Sequence, residues 1–63
     1  MLIQVDLTLN GIEATYEING EQVEIVLSNA EVAKTQDIVK LANNRLAERL
    51  KVLTAADELR GLL

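Results

Sequence analysis

The chain has no cysteine, histidine, proline, tryptophan or phenylalanine, and it has a single tyrosine. The absence of cysteine excludes disulfides and thiolate metal sites. Without histidine, and with its carboxylates spread along the sequence, the chain is not expected to hold a structural metal ion. A chain of 63 residues buries only about 60% of its unfolded surface. Oligomerisation or very regular packing is therefore expected to stabilise the fold.

The sequence also lacks the groups that most catalytic mechanisms use. Without histidine and cysteine, acid–base or nucleophilic work would fall to Ser28, Tyr16 or the carboxylates. Ser28 is explained as a helix N-cap, and Tyr16 as a packed ring on the core face between Val5 and Val23. We therefore predict that the protein is not an enzyme and that it binds no cofactor.

A targeting or membrane segment is not expected either. Residues 1–6 lack the basic region and the continuous apolar stretch of a signal peptide, and no apolar run reaches the length of a membrane span. A cytoplasmic protein without membrane contact is the expectation. The net charge of −4 argues against nucleic acid as a direct partner.

Two Asn-Gly dipeptides, Asn10-Gly11 and Asn19-Gly20, separate segments of alternating apolar and polar residues. Asn-Gly favours the type I′ turn, in which both central residues have positive φ, so each dipeptide predicts a two-residue β-hairpin turn. The pattern predicts strands over about 2–9, 12–18 and 22–27. In this register Leu9 pairs with Ile12, and Ile18 pairs with Glu21.

The predicted register separates the side chains into an apolar and an acidic face. No two acids lie directly opposite each other in it, and because like charges in that position are destabilising, this arrangement is compatible with an exposed acidic face. The acidic face carries no lysine or arginine, so either solvent or a partner covers it. Its candidate partner-binding residues are Asp6, Glu13, Glu17 and Glu24. The apolar face collects Ile3, Val5, Leu7, Leu9, Ile12, Ala14, Tyr16, Ile18, Val23, Ile25 and Leu27.

Two helices are expected after the strands. Ser28 and Glu31 form a capping-box pattern flanked by Leu27 and Val32, which predicts a helix over about 29–53. Its apolar stripe should lie on the apolar face of the sheet. A second capping pattern, Thr54 to Asp57, predicts a short C-terminal helix over about 55–62. The fold is thus predicted to be one α+β domain over residues 1–63: a three-stranded antiparallel β-meander in order 1-2-3, with a long helix on one face and a short helix after it.

Lengths predict self-association. The long helix should span about 37 Å, whereas strands of about eight residues span about 26 Å, so the apolar end of the helix extends past the sheet. The edge of strand 1 is guarded only by Asp6. Both features predict a homodimer. The candidate interface residues are Leu41, Leu46, Leu50, Val52, Leu53, Leu59, Leu62 and Leu63.

These observations predict a non-enzymatic, acidic protein–protein interaction module that is homodimeric. Small acidic proteins of this kind include accessory proteins of phages and plasmids that bind and inhibit a host protein. One alternative is a structural or assembly subunit, and another is a designed scaffold with no ligand. A third is an inhibitor whose acidic face imitates DNA and occupies the groove of a nucleic-acid-binding protein.

Overall fold

The computed structural model describes all 63 residues. Strand β1 spans Leu2–Thr8, β2 spans Gly11–Ile18 and β3 spans Glu21–Ser28, while helix α1 spans Asn29–Lys34 and α2 spans Ile38–Arg60. The strands form one antiparallel sheet in the order β1-β2-β3. The predicted α+β fold with a three-stranded meander is confirmed. Neither helix combines the length and the apolar character that a membrane crossing requires.

The hairpin between β2 and β3 has the predicted turn. Asn19 and Gly20 both adopt positive φ, at 52° and 82°, as a type I′ turn requires of its central residues. Ile18 pairs with Glu21, and the ladder then continues without interruption along both strands. The predicted register of these two strands is therefore confirmed.

The hairpin between β1 and β2 differs from the prediction by two residues. Its turn is Leu9-Asn10 rather than Asn10-Gly11, and Thr8 pairs with Gly11. The positive φ falls on Gly11, at 146°, and not on either turn residue. Hairpins often place a glycine of positive φ directly after the turn. An Asn-Gly pair fits this arrangement too, so the dipeptide alone does not determine the register.

The shift preserves the two faces of the sheet but changes which residues lie opposite one another. A displacement of two residues keeps the side chains of Gln4 to Thr8 on their predicted sides, because side chains alternate with a period of two. On the apolar face Val5 now pairs with Ala14. On the polar face Asp6 lies directly opposite Glu13. The prediction that no two acids face each other is therefore wrong.

Strand β1 is irregular near its start. The register shifts between Leu2 and Gln4, which leaves Ile3 without a partner on β2. Leu2, rather than Val5 as predicted, therefore pairs with the buried Tyr16. A bulge of this kind bends an edge strand and shortens its regular portion.

The helical segment is divided at a different place from the predicted one. The sequence pattern predicts a break at Thr54, whereas α1 ends at Lys34 and α2 runs from Ile38 through Thr54 to Arg60. The short helix therefore precedes the long one. The first capping box is present as predicted, because the Glu31 N–H donates to Ser28 Oγ at 3.2 Å and the Ser28 N–H donates to Glu31 Oε1 at 3.2 Å.

Side-chain hydrogen bonds explain the position of the break. The Asp37 N–H donates to Thr35 Oγ1 at 3.2 Å, and the Lys40 N–H donates to Asp37 Oδ1 at 3.0 Å. Asp37 is thus the N-cap of α2. Thr54 instead donates its hydroxyl to the Leu50 carbonyl at 3.0 Å, a bond that is compatible with the helix interior. The second predicted capping pattern is not used.

The core lies between the helices and strands β2 and β3. Its buried side chains are those of Ala14, Tyr16, Val23, Ile25 and Leu27. Half-buried side chains from both helices pack against this core: Val32, Leu41, Ala42 and Leu46. In β1 every residue except the half-buried Thr8 is exposed. The predicted helix stripe therefore covers two of the three strands.

Candidate protein interface

Strand β1 presents an uncovered apolar surface, called here the β1 apolar face. Leu2 and Val5 pair with buried core residues of β2, and Leu7 pairs with a residue that packs against the core. These three residues are nevertheless 50%, 58% and 87% exposed, in that order. The cause is the position of the helices, because α1 packs on β2 and β3 and α2 packs on β3, so the helical layer lies over that side of the sheet. Exposed apolar patches on folded proteins are candidate sites of interaction. The residues of the β1 apolar face are Leu2, Val5 and Leu7.

The outer edge of β1 carries unpaired backbone groups. The central strand bonds alternately to its two neighbours, and the Asn29 N–H donates to the Asn10 carbonyl at 3.1 Å on the β3 side. Every second residue from Asn10 onward therefore bonds to β3, and the residues between bond to β1. By the same alternation, Val5 and Leu7 direct their N–H and C=O groups away from β2. This edge is open to another strand.

On the outer edge of β3, by contrast, Arg45 occupies one of the outward carbonyls. Its Nη1 donates to the Val26 carbonyl at 2.9 Å, and its Nη2 pairs with Glu31 Oε2. Nε lies 3.8 Å from Glu48 on the same helix. Arg45 thus ties α2 to α1 and to β3. This role could not be predicted from the sequence, because Glu31 and Arg45 are 14 residues apart and no local spacing relates them.

Glu31 is the one titratable group whose environment clearly changes its acidity. The Ser28 N–H holds the pKa of this carboxyl below its usual value, and the Arg45 guanidinium adds to the effect. Both donors favour the ionised form. The junction of β3, α1 and α2 is therefore strongest when Glu31 is charged.

The predicted dimer-interface residues occupy three environments. Leu41 and Leu46 pack against the core of their own chain. Leu50 and Leu53 are half-buried and line a groove of about 310 Å³ beside the β2–β3 turn. The remaining four are exposed on the second half of α2 and on the residues after it: Val52, Leu59, Leu62 and Leu63.

The predicted acidic residues do share the polar face of the sheet. Glu13 is half-buried, and Asp6, Glu17 and Glu24 are exposed. The Gln4 amide donates to Asp6 Oδ2 at 2.7 Å. A shallow depression of about 330 Å³ on this face has an entirely polar lining: Gln4, Thr15, Gln22 and Glu24. No three carboxylates converge in a way that could hold a metal ion.

Comparison of the chain with protein-family models, with curated protein sequences and with solved structures finds no match. The residues that the fold brings together are thus the grounds for a functional assignment. They form an open, apolar strand edge on one side of the sheet and an acidic surface on one of its faces.

Proposed function

We propose that this chain is a protein–protein interaction module that acts as a homodimer. The observation that carries the proposal is the exposure of the β1 apolar face, where Leu7 is 87% exposed although its partner on β2 packs against the core. In water such a surface favours association, because apolar area removed from solvent contributes about 25 cal/mol per Å².

The total surface of the chain supports association. Its accessible area is 5055 Å². Scaling of area with mass gives about 4,000 Å² for a folded monomer of 6.9 kDa. The excess of about 1,000 Å² is close to the roughly 800 Å² that each partner buries in an interface of standard size. One interface of standard size would bury this excess area.

Sedimentation equilibrium between about 1 and 100 μM tests the proposal, with the concentration range chosen to bracket a micromolar Kd. We expect a mass of twice 6.9 kDa at the upper concentrations. A mass of 6.9 kDa throughout the range would overturn the homodimer.

A second candidate function is supported by the acidic face. Asp6 lies opposite Glu13, an arrangement that disfavours the isolated sheet, and no basic side chain of the strands offsets it. A basic protein surface would relieve this repulsion. The partner would be a nucleic-acid-binding protein whose groove the carboxylates fill in place of phosphates.

Competition with DNA for a set of basic DNA-binding domains tests this second function. The wild-type chain should displace DNA from its target domain, and a variant with Glu13→Gln, Glu17→Gln and Glu24→Gln should not. Circular dichroism of the variant checks that the sheet is retained. If both chains displaced DNA equally, the acidic face would not be the surface that binds the DNA-binding domain.

A further inference from the structure

We infer that β1 of one copy pairs with β1 of a second copy in antiparallel orientation, with the two-fold axis at Val5. The two sheets of three strands then form one continuous six-stranded sheet. This inference rests on the proposed homodimer, and it assigns the surface and the register of the contact. The partner is a second copy of this chain.

The choice of edge follows from the two sides of the sheet. On β3 the Val26 carbonyl already accepts a hydrogen bond from Arg45 at 2.9 Å, so an incoming strand would have to displace a charged donor. On β1 the outward N–H and C=O groups of Val5 and Leu7 have no such competitor. Unpaired edges of this type recruit another strand unless something covers them.

The register follows from the side chains of β1. A two-fold axis at Asp6 would place the two Asp6 carboxylates directly opposite each other, which is destabilising. An axis at Val5 places Gln4 of each copy opposite Asp6 of the other. The amide and the carboxylate are complementary, as their 2.7 Å hydrogen bond within one chain shows. This axis also lies at the middle of Leu2–Thr8, so residues 4–6 of the two copies lie opposite one another, and the irregular start of each strand lies beside Leu7 and Thr8 of the other.

The partner is a second copy because two β1 edges can satisfy each other's unpaired backbone groups. Around a two-fold axis the same strand supplies both sides, so each unpaired group of Val5 finds its counterpart in the partner. The two β1 apolar faces then lie side by side, and their aliphatic side chains pack across the axis. The polar faces join in the same way, so the acidic surface of the dimer is twice that of one chain.

Disulfide trapping tests the register in a chain that has no cysteine of its own. In a hydrogen-bonded antiparallel pair the Cα atoms are about 5.5 Å apart, within the range that disulfides span. Val5→Cys should therefore form a covalent dimer under mild oxidation. Leu7→Cys should not, because the two sulfurs would be attached about 13 Å apart along the strands. Leu59→Cys reports on contact through the end of α2.

The outcomes separate the inference from the proposed function. Efficient trapping by Val5→Cys alone supports the register. A dimer in sedimentation that is trapped by Leu7→Cys or Leu59→Cys, or by none of the three, overturns the inference and leaves the homodimer intact. A monomer in sedimentation overturns both.

Charge changes at Gln4 provide a second measurement that needs no oxidation. Gln4→Lys faces Asp6 of the partner and should lower the dimer Kd, whereas Gln4→Glu should raise it, each by roughly tenfold over two symmetric contacts. Gln22→Lys and Gln22→Glu are the matched controls, because Gln22 is an exposed glutamine of β3 paired with Glu17. Equal effects at both positions, or none at Gln4, would overturn the register.

Discussion

Gly11 and Gly20 both follow an asparagine, yet they meet different constraints in the fold. A Cβ on Gly11 would clash with the Leu27 carbonyl oxygen and lie 3.0 Å from Ser28 Cα, whereas a Cβ on Gly20 would meet open space. Gly11 therefore allows the close approach of β3 to the start of β2. Gly20 serves only the positive φ of a turn.

Gly11→Ala is expected to destabilise the fold by about 2–4 kcal/mol, because strain at φ 146° adds to a backbone clash. Gly20→Ala is expected to cost about 1 kcal/mol, the strain of a left-handed alanine alone. Urea unfolding of both variants at one protein concentration measures the difference. Equal losses would contradict the displaced first turn.

The capping carboxylate of Glu31 makes stability depend on pH. Its pKa is lowered in the folded state, first by the Ser28 N–H and then by Arg45. The contribution of ionised Glu31 is thus complete above the ordinary glutamate pKa of about 4.3, and it is lost as the pH falls through the lowered value.

Glu31→Gln should therefore reduce the free energy of unfolding at pH 7 and reduce it less, relative to wild type, below about pH 4. Thermal unfolding from pH 7 to pH 3 measures this convergence. Glu58→Gln is the control, because Glu58 is an exposed glutamate of α2. A constant difference between wild type and Glu31→Gln across the range would contradict the mechanism.

At the level of the helices, competing capping signals decide where the chain bends. The Thr54 pattern resembles a capping box more closely than Asp37 does, but Thr54 bonds to the helix carbonyl of Leu50 at 3.0 Å. At Asp37 the break lets α1 end at Lys34 and α2 turn back over β3. The local sequence shows which residues could cap a helix, but tertiary packing decides which of them does.

Two alanine substitutions test this assignment. Asp37→Ala should destabilise the protein by about 1 kcal/mol, the usual cost of losing an N-cap. Thr54→Ala should change stability by less than about 0.5 kcal/mol, because alanine is the better helix former at an exposed interior position. Chemical unfolding gives both values, and the reverse order would place the break at Thr54.

For the strands, alternation was sufficient to assign the faces from Gln4 onward but not every register. The β2–β3 pairing follows from Asn19-Gly20, since that turn needs two residues of positive φ. The β1–β2 pairing could not be derived in the same way, because Gly11 can serve in a turn or directly after one. The bulge at Ile3 has no signal in the alternation, since the pattern continues through it.

Over the whole molecule, the exposed area and the elongated shape are the features that support the proposed association. The chain extends over 41 × 21 × 21 Å, and only six of its 63 residues are buried. So small a core leaves a marginal monomer. The stability of a dimer, unlike that of a monomer, depends on protein concentration.

The melting temperature is therefore expected to rise with concentration. A hundredfold increase should raise it on the order of 5 °C for a domain of this size. Differential scanning calorimetry from about 5 to 500 μM measures the shift, within the range where a micromolar dimer forms. A melting temperature that does not change would indicate that folding is independent of a second copy.

The amino-acid order by itself determined the element types, the faces of the strands, the second hairpin and the Ser28 cap, since each depends on neighbours close in the chain. Only the tertiary structure decided the first register, the break at Asp37, the contact of Arg45 with β3 and the exposure of β1. Each of these depends on groups far apart in sequence. The exposure of β1 has the simplest reason: both helices pack on β2 and β3.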